Sequence, residues 1–192
     1  RVRPYEQTPG AANKLYEKWI ERCKRQIAEG DMKTFRESIW DIVSDFDRLS
    51  LRGDIQKPRV GVVGEILVKY HPDANNNVVG IIESEGAEAV VPDLLDFFLY
   101  CFFDDIFKYR YMAGTTKQML TSRLLISYFE SIRKEMRKAL QASRRFTPPN
   151  SVYHAASLAK RVTSLGHHTG EGWLLTAEMI ELIESGAPNI IC

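Results

Sequence analysis

The sequence predicts a helix-rich α/β domain built on a parallel sheet, preceded by two paired helices. Three observations carry this. Short β-branched runs alternate with longer helical stretches, the pattern that produces strand–helix–strand units with right-handed crossovers. The first run, Val60 to Val63, is apolar throughout and interrupted only by Gly61, as expected of a strand buried on both faces. The opening stretch has helical rather than strand periodicity, with apolar residues recurring every fourth position.

In chain order, Asn13 to Glu29 places Leu15, Trp19, Cys23 and Ile27 on one helical face, and Gly30 stops it. Asp31 then caps a second helix with Phe35, Ile39, Ile42, Phe46 and Leu49 on one side. Together they read as an αα-hairpin, and residues 1–57 as an appendage to an α/β domain over 58–192. Val60 to Val63 is the first strand, followed by a long loop through His71-Pro72-Asp73. A helix from about Asn75 to Glu85 leads to a second strand at Glu88 to Val91. Leu94 to Phe107 is apolar nearly all round, so it is buried on several sides or packs against a partner. Thr116 to Ala142 is a long helix with Leu120, Leu124, Tyr128, Ile132, Met136 and Leu140 in register. Thr147-Pro148-Pro149-Asn150 breaks it. Helices over Ser151–Ser164 and Trp173–Glu184 and a strand over Asn189–Cys192 complete the pattern.

Composition excludes several classes. Of 192 residues 44% are hydrophobic, enough for a sizeable core. The net charge of +1 lacks the basic field on which general nucleic-acid binding rests. No apolar run reaches the roughly 18 residues of a membrane span; the longest, Leu94 to Phe103, contains Asp96. Three cysteines without a CxxC suit a reducing, cytoplasmic compartment. The N-terminal RVRPYEQTPG has no apolar core of a signal peptide. The missing initiator Met and the ending on Ile190-Ile191-Cys192 suggest a piece of a longer protein.

The candidate site begins where the first strand runs into Gly64-Glu65, because open α/β sheets bind ligands outside the carboxyl ends of their strands. Glycine permits close backbone approach there and Glu65 supplies a carboxylate; alternatively Gly64 eases a turn and Glu65 is a solvated acid. GVVGE lacks the spacing of a dinucleotide fingerprint. Asn75 opens a helix, either as a cap or as part of an anion-binding N-terminus. Gly170-Glu171-Gly172 is a second glycine-rich turn into a helix, with Glu171 favoured there by the macrodipole alone or used as a catalytic acid. His167-His168 is a weak metal signal, since adjacent side chains diverge. Arg133 to Arg145 is a basic stretch, either a solvated helix end or a surface for a phosphate-bearing ligand. Cys192 ends a strand where a thiolate could bind a metal or attack a substrate; Cys23 and Cys101 read as small core residues.

The stretches RVGVVGEILVKYHPDANNNVVGIIESEGAEAVVP and GEGWLLTAEMIELIESGAPNIIC resemble the 2-hydroxyacyl-CoA dehydratase-like region of bacterial CoA-substrate-specific enzyme activases and related proteins. The resemblance extends over most of the chain from Pro58 onward. It implies a flavodoxin-like or Rossmann-like parallel sheet and a lyase-type system acting on acyl-CoA. It further implies a 4Fe–4S cluster in the full-length protein and an ATP-dependent activator partner, a homo-oligomer being open. On this reading Glu65 and Glu171 are the candidate catalytic acids. Gly64, Asn75, Gly170 and Gly172 approach the ligand, and Cys192 is a cluster ligand. The alternative is a non-catalytic module that keeps the fold and binds a CoA ester or a partner. A nucleotide-binding flavodoxin-like domain ranks behind both, for want of a phosphate loop.

Overall fold

The computed structural model describes residues 1–192 and is a helix-rich α/β structure with one small parallel sheet. By its internal contacts the chain forms two compact units: Arg1–Gln56 with Ile132–Pro149, and Lys57–Ser131 with Asn150–Cys192. The first unit therefore takes in more than the N-terminal segment. Residues 132–149 join it through long-range contacts that periodicity does not report.

In the first unit, α1 (Ala11–Glu29) ends at Gly30, whose positive φ of 69° is the usual left-handed helix terminator. Asp31 caps α2 (Met32–Arg48), accepting the Lys33 and Thr34 amides at 3.1 Å. The indole of buried Trp19 donates to Asp45 at 3.1 Å, and buried Gln26 donates to the Ser38 hydroxyl at 2.7 Å. These bonds pair the Trp19 indole and the Gln26 amide nitrogen, while Gln26 Oε1 is buried without a partner. The last turns of the long helix α6 (Thr116–Ala142) belong here too. Just beyond α6, Arg145 donates to the Phe46 and Leu49 carbonyls, each at 2.8 Å, covering open carbonyls at the end of α2. Charged hydrogen bonds of this kind contribute about 1.5–3 kcal/mol. Arg145→Ala is therefore expected to lower stability by roughly that amount in urea unfolding, while Lys at 145, which lacks the two-pronged fork, recovers only part.

In the second unit, β1 (Arg59–Val62) lies between β2 (Glu88–Val90) and β3 (Asn189–Ile191), giving the order β2-β1-β3 with both pairings parallel. Arg59 pairs with Glu88 on one side and Val62 with Ile191 on the other. Gly61 interrupts the strand for a packing reason. A Cβ there would lie 2.7 Å from Leu182 on α8 (Gly172–Glu184) and 3.0 Å from Ile190. The missing side chain lets α8 settle onto the centre of the sheet.

The stretch expected to be a long loop after β1 contains a short helix, α3 (Ile66–Tyr70), and the next helix, α4 (Val78–Ser84), starts three residues later than expected. The apolar α5 (Leu94–Tyr111) buries Leu99 and Tyr100 in the main core with Ile126, Trp173, Leu174 and residues of α7 (Val152–Ala159), while Leu94 and Phe98 stay exposed.

The apolar row of α6 that runs from Leu120 to Leu140 is not its most buried face. Leu120, Leu124, Tyr128 and Ile132 are exposed, and Met119, Ser122 and Ile126 point inward. The helix carries apolar residues on two faces, and periodicity alone does not say which one meets a neighbour. No helix is long and apolar enough to cross a membrane.

Candidate functional site at the carboxyl edge of the sheet

Because all three strands are parallel, their carboxyl ends share one edge. β1 feeds β2 on one side and has β3 on the other, so the order reverses about β1. That is the kind of position where open α/β sheets form a crevice. Val63 extends the β1–β3 ladder by donating to the Ile191 carbonyl at 2.9 Å. Gly64 and Cys192 therefore follow neighbouring strands onto the same edge. Gly64 has a positive φ of 146°, and the space its missing side chain leaves is open.

Glu65 is the N-cap of α3. Its Oε2 accepts the Val68 amide at 3.1 Å, and the side chain is exposed, with Oε1 free of protein hydrogen bonds. One turn later Lys69 is buried against Glu178 of α8, with Nζ 2.8 and 3.1 Å from the two carboxylate oxygens. Burial is the largest influence on Glu178 and pushes its carboxyl above the usual range, against the pull of Lys69. Tyr70 donates to the Pro92 carbonyl at 2.6 Å, and burial, then the nearby Glu178, pushes its phenol upward. Lys69 and Tyr70 thus tie α3 to α8 on one side and to the exit of β2 on the other, so the turn after β1 is held rigidly.

Asn75 is a bracket between helices. Its amide donates to Val68 O at 2.8 Å and Lys69 O at 3.3 Å, and its oxygen accepts the Val78 amide at 3.1 Å. Both ends of the side chain are engaged within the protein.

The second glycine-rich turn opens α8. Along that helix Leu182 covers Gly61, and Glu178 meets Lys69 beyond the end of β1. The helix therefore runs antiparallel to the strands, and its first residues lie out past the carboxyl edge. Gly170 has φ of 61° and Glu171, unusually for a side chain of its size, 57°. At Gly172 a Cβ would sit 1.9 Å from the His167 carbonyl oxygen, which accepts the Trp173 amide at 2.7 Å. Glu171 is buried and its Oε2 has no hydrogen-bond partner, as is also true of the Trp173 indole nitrogen. Strain and unpaired buried polar atoms in one turn are the features that functional loops retain at a cost in stability.

The same loop is fastened to α5. The Tyr100 hydroxyl donates to the His168 carbonyl, and His168 Nδ1 lies 3.3 Å from buried Asp104, whose other oxygen meets Lys108 at 2.7 Å. Burial, then Asp104, pushes both the Tyr100 phenol and the Cys101 thiol upward, which disfavours the Cys101 thiolate. Glu171 lies within electrostatic reach of Tyr100, Cys101 and Glu178 on α5 and α8. No hydrogen bond or ion pair joins it to Glu65 or Cys192.

The site residues thus fall in two places: Gly64, Glu65 and Cys192 at the strand ends, and Gly170, Glu171 and Gly172 in the outer turn. Lys69 and Glu178, which lie between, escaped the sequence reading. The available signal was Glu178 in the row Leu174–Glu178–Leu182, a charge on an apolar helix face.

Comparison with known proteins leaves the chain on its own: no family model, no curated protein and no solved structure matches it.

Proposed function

We propose that this chain is the α/β part of a 2-hydroxyacyl-CoA dehydratase-related protein. On this reading it carries a flavodoxin-like sheet with an N-terminal helical hairpin and works with an ATP-dependent activator on an acyl-CoA. The observation that carries the reading is the strand order β2-β1-β3, with the Gly64-Glu65 turn and Cys192 on adjacent strand ends. Such an edge accepts a ligand against open backbone at Gly64, with the free Glu65 oxygen available to hold or move a proton.

A four-cysteine cluster does not fit the residues of this chain by themselves. Cys23 lies on α1 and Cys101 on α5, both half-buried, and no group of three or more potential ligands converges. Cys192 alone is exposed at the edge and is the single candidate thiolate; other ligands would come from residues outside this sequence.

The test is anaerobic purification of the full-length protein with its activator. Iron and sulfide in stoichiometric amount, an electron paramagnetic resonance signal on reduction, and loss of iron in Cys192→Ser are expected. Iron content unchanged by that substitution would overturn the ligand role, and iron-free, colourless protein the dehydratase reading.

A second reading, a partner-binding module that keeps the fold without turnover, is favoured by the exposure of Leu94 and Phe98 on α5. It expects an activator pull-down that survives Cys192→Ser and Glu65→Gln and fails when Leu94 and Phe98 are both replaced by Ser.

A further inference from the structure

We propose that the cleft between α2 and the last turns of α6 binds an adenine-nucleotide moiety, with the base against Trp40 and the phosphates on Arg48 and Arg144. The cleft has a volume of about 340 Å³. That is the lower end of the roughly 300–1,000 Å³ range of small-molecule sites, suited to a mononucleotide rather than a dinucleotide.

Its two ends differ chemically. At one end Trp40 is exposed, and the cleft is floored by Val43 and Ala139, whose short side chains leave room for a flat ring. At the other end are two guanidinium groups. Arg48 and Arg144 are exposed and enter no ion pair, whereas their neighbour Arg145 is engaged with the α2 carbonyls. Of the acids nearby, Glu135 pairs with Lys138 at 2.8 Å, while Asp47 keeps its charge and accepts from the Ser143 hydroxyl at 2.8 Å and the Arg144 amide at 3.4 Å. Two arginines against one unneutralised carboxylate leave the cleft lining positive. Trp40, Ser44 and Arg48 are successive i, i+4 positions on α2, so base and phosphate subsites lie about 12 Å apart along the axis. That separation matches the reach from a purine to the terminal phosphate of a nucleoside di- or triphosphate. Aromatic stacking and forked arginine contacts are the interactions such a ligand uses.

The other two tryptophans, Trp19 and Trp173, are buried, so ligand quenching of fluorescence reports on Trp40. The full chain is titrated with ADP, ATP, CoA and inorganic phosphate, by fluorescence and by calorimetry. Saturable quenching by ADP or ATP is expected, with Arg48→Ala and Arg144→Ala each weakening binding roughly 10-fold or more. Trp40→Phe is expected to abolish the quench while calorimetry still detects binding. CoA binding as tightly as ADP assigns the moiety to CoA, and ADP binding without CoA assigns a free nucleotide; either supports the site. No saturable response to ADP, ATP or CoA overturns it. So does phosphate binding as tightly as ADP, or unchanged affinity in the folded arginine variants. The cleft belongs to the first unit and the sheet edge to the second, and they share no residue, so failure of the cleft leaves the dehydratase reading standing.

Discussion

Lys69→Met is expected to destabilise the second unit in a strongly pH-dependent way. The substitution removes the only cation facing the buried Glu178 carboxylate while adding apolar volume of similar length. Glu178 already has a raised pKa, and Lys69 is what holds it down. The sign follows directly. An acid whose folded pKa lies above its unfolded value favours the native state below that unfolded value, and the advantage is lost as pH rises through the folded pKa. In the variant the cost is absent near pH 4. It then grows by about 1.4 kcal/mol per pH unit, reaching at most about 3.7 kcal/mol at pH 7 from an ordinary Glu value near 4.3. Glu178→Gln strands the lysine instead and is expected to cost about 3–5 kcal/mol at neutral pH. The double variant Lys69→Met with Glu178→Leu is expected to recover wild-type stability or exceed it by about 1–4 kcal/mol. Urea unfolding of all three variants at pH 4, 5.5 and 7 checks this. A Lys69→Met penalty that does not change with pH would show that the pair is not desolvated.

Gly172→Ala is the second substitution with a large expected effect, and it is informative beside Gly170→Ala. The added methyl at 172 meets the His167 carbonyl oxygen at 1.9 Å, a backbone atom held in place by its bond to the Trp173 amide. Relief requires opening the turn, so the cost belongs at the top of the roughly 1–3 kcal/mol range for overpacking. At Gly170 the methyl meets nothing, and only the left-handed backbone is penalised, by about 1–2 kcal/mol. Equal costs at the two positions would mean that the turn relaxes freely. Gly172→Ala is also expected to weaken the Tyr100 and Asp104 contacts that hold His168, readable as faster amide exchange across Gly166–Trp173.

Much of this was legible from residue patterns. Val60–Val63 announced a buried strand, Gly30 and Asp31 the boundary between two helices, and the turn after Gly64 a strand end. Local chemistry determines these features, through backbone freedom, capping and side-chain period. Other features lay out of reach. Glu65 was read as a crevice acid, and it is also the cap of α3, a helix too short to show a period. Asn75 was read as a helix opener or anion holder, and its amide brackets α3 and α4. The apolar row of α6 did not reveal which face is covered, because a helix with two apolar faces gives the same periodicity whichever one is covered.

By itself the sequence determined the longer elements and the two glycine-rich turns, since each depends on residues within a few positions of one another. Only the tertiary structure decided the strand order β2-β1-β3 that sets Cys192 beside Gly64. It also decided the Lys69–Glu178 pair across 109 positions and the joining of residues 132–149 to the N-terminal unit. These depend on which distant surfaces exclude water together. Burial of that kind is proportional to area and indifferent to order along the chain, so no local pattern records it.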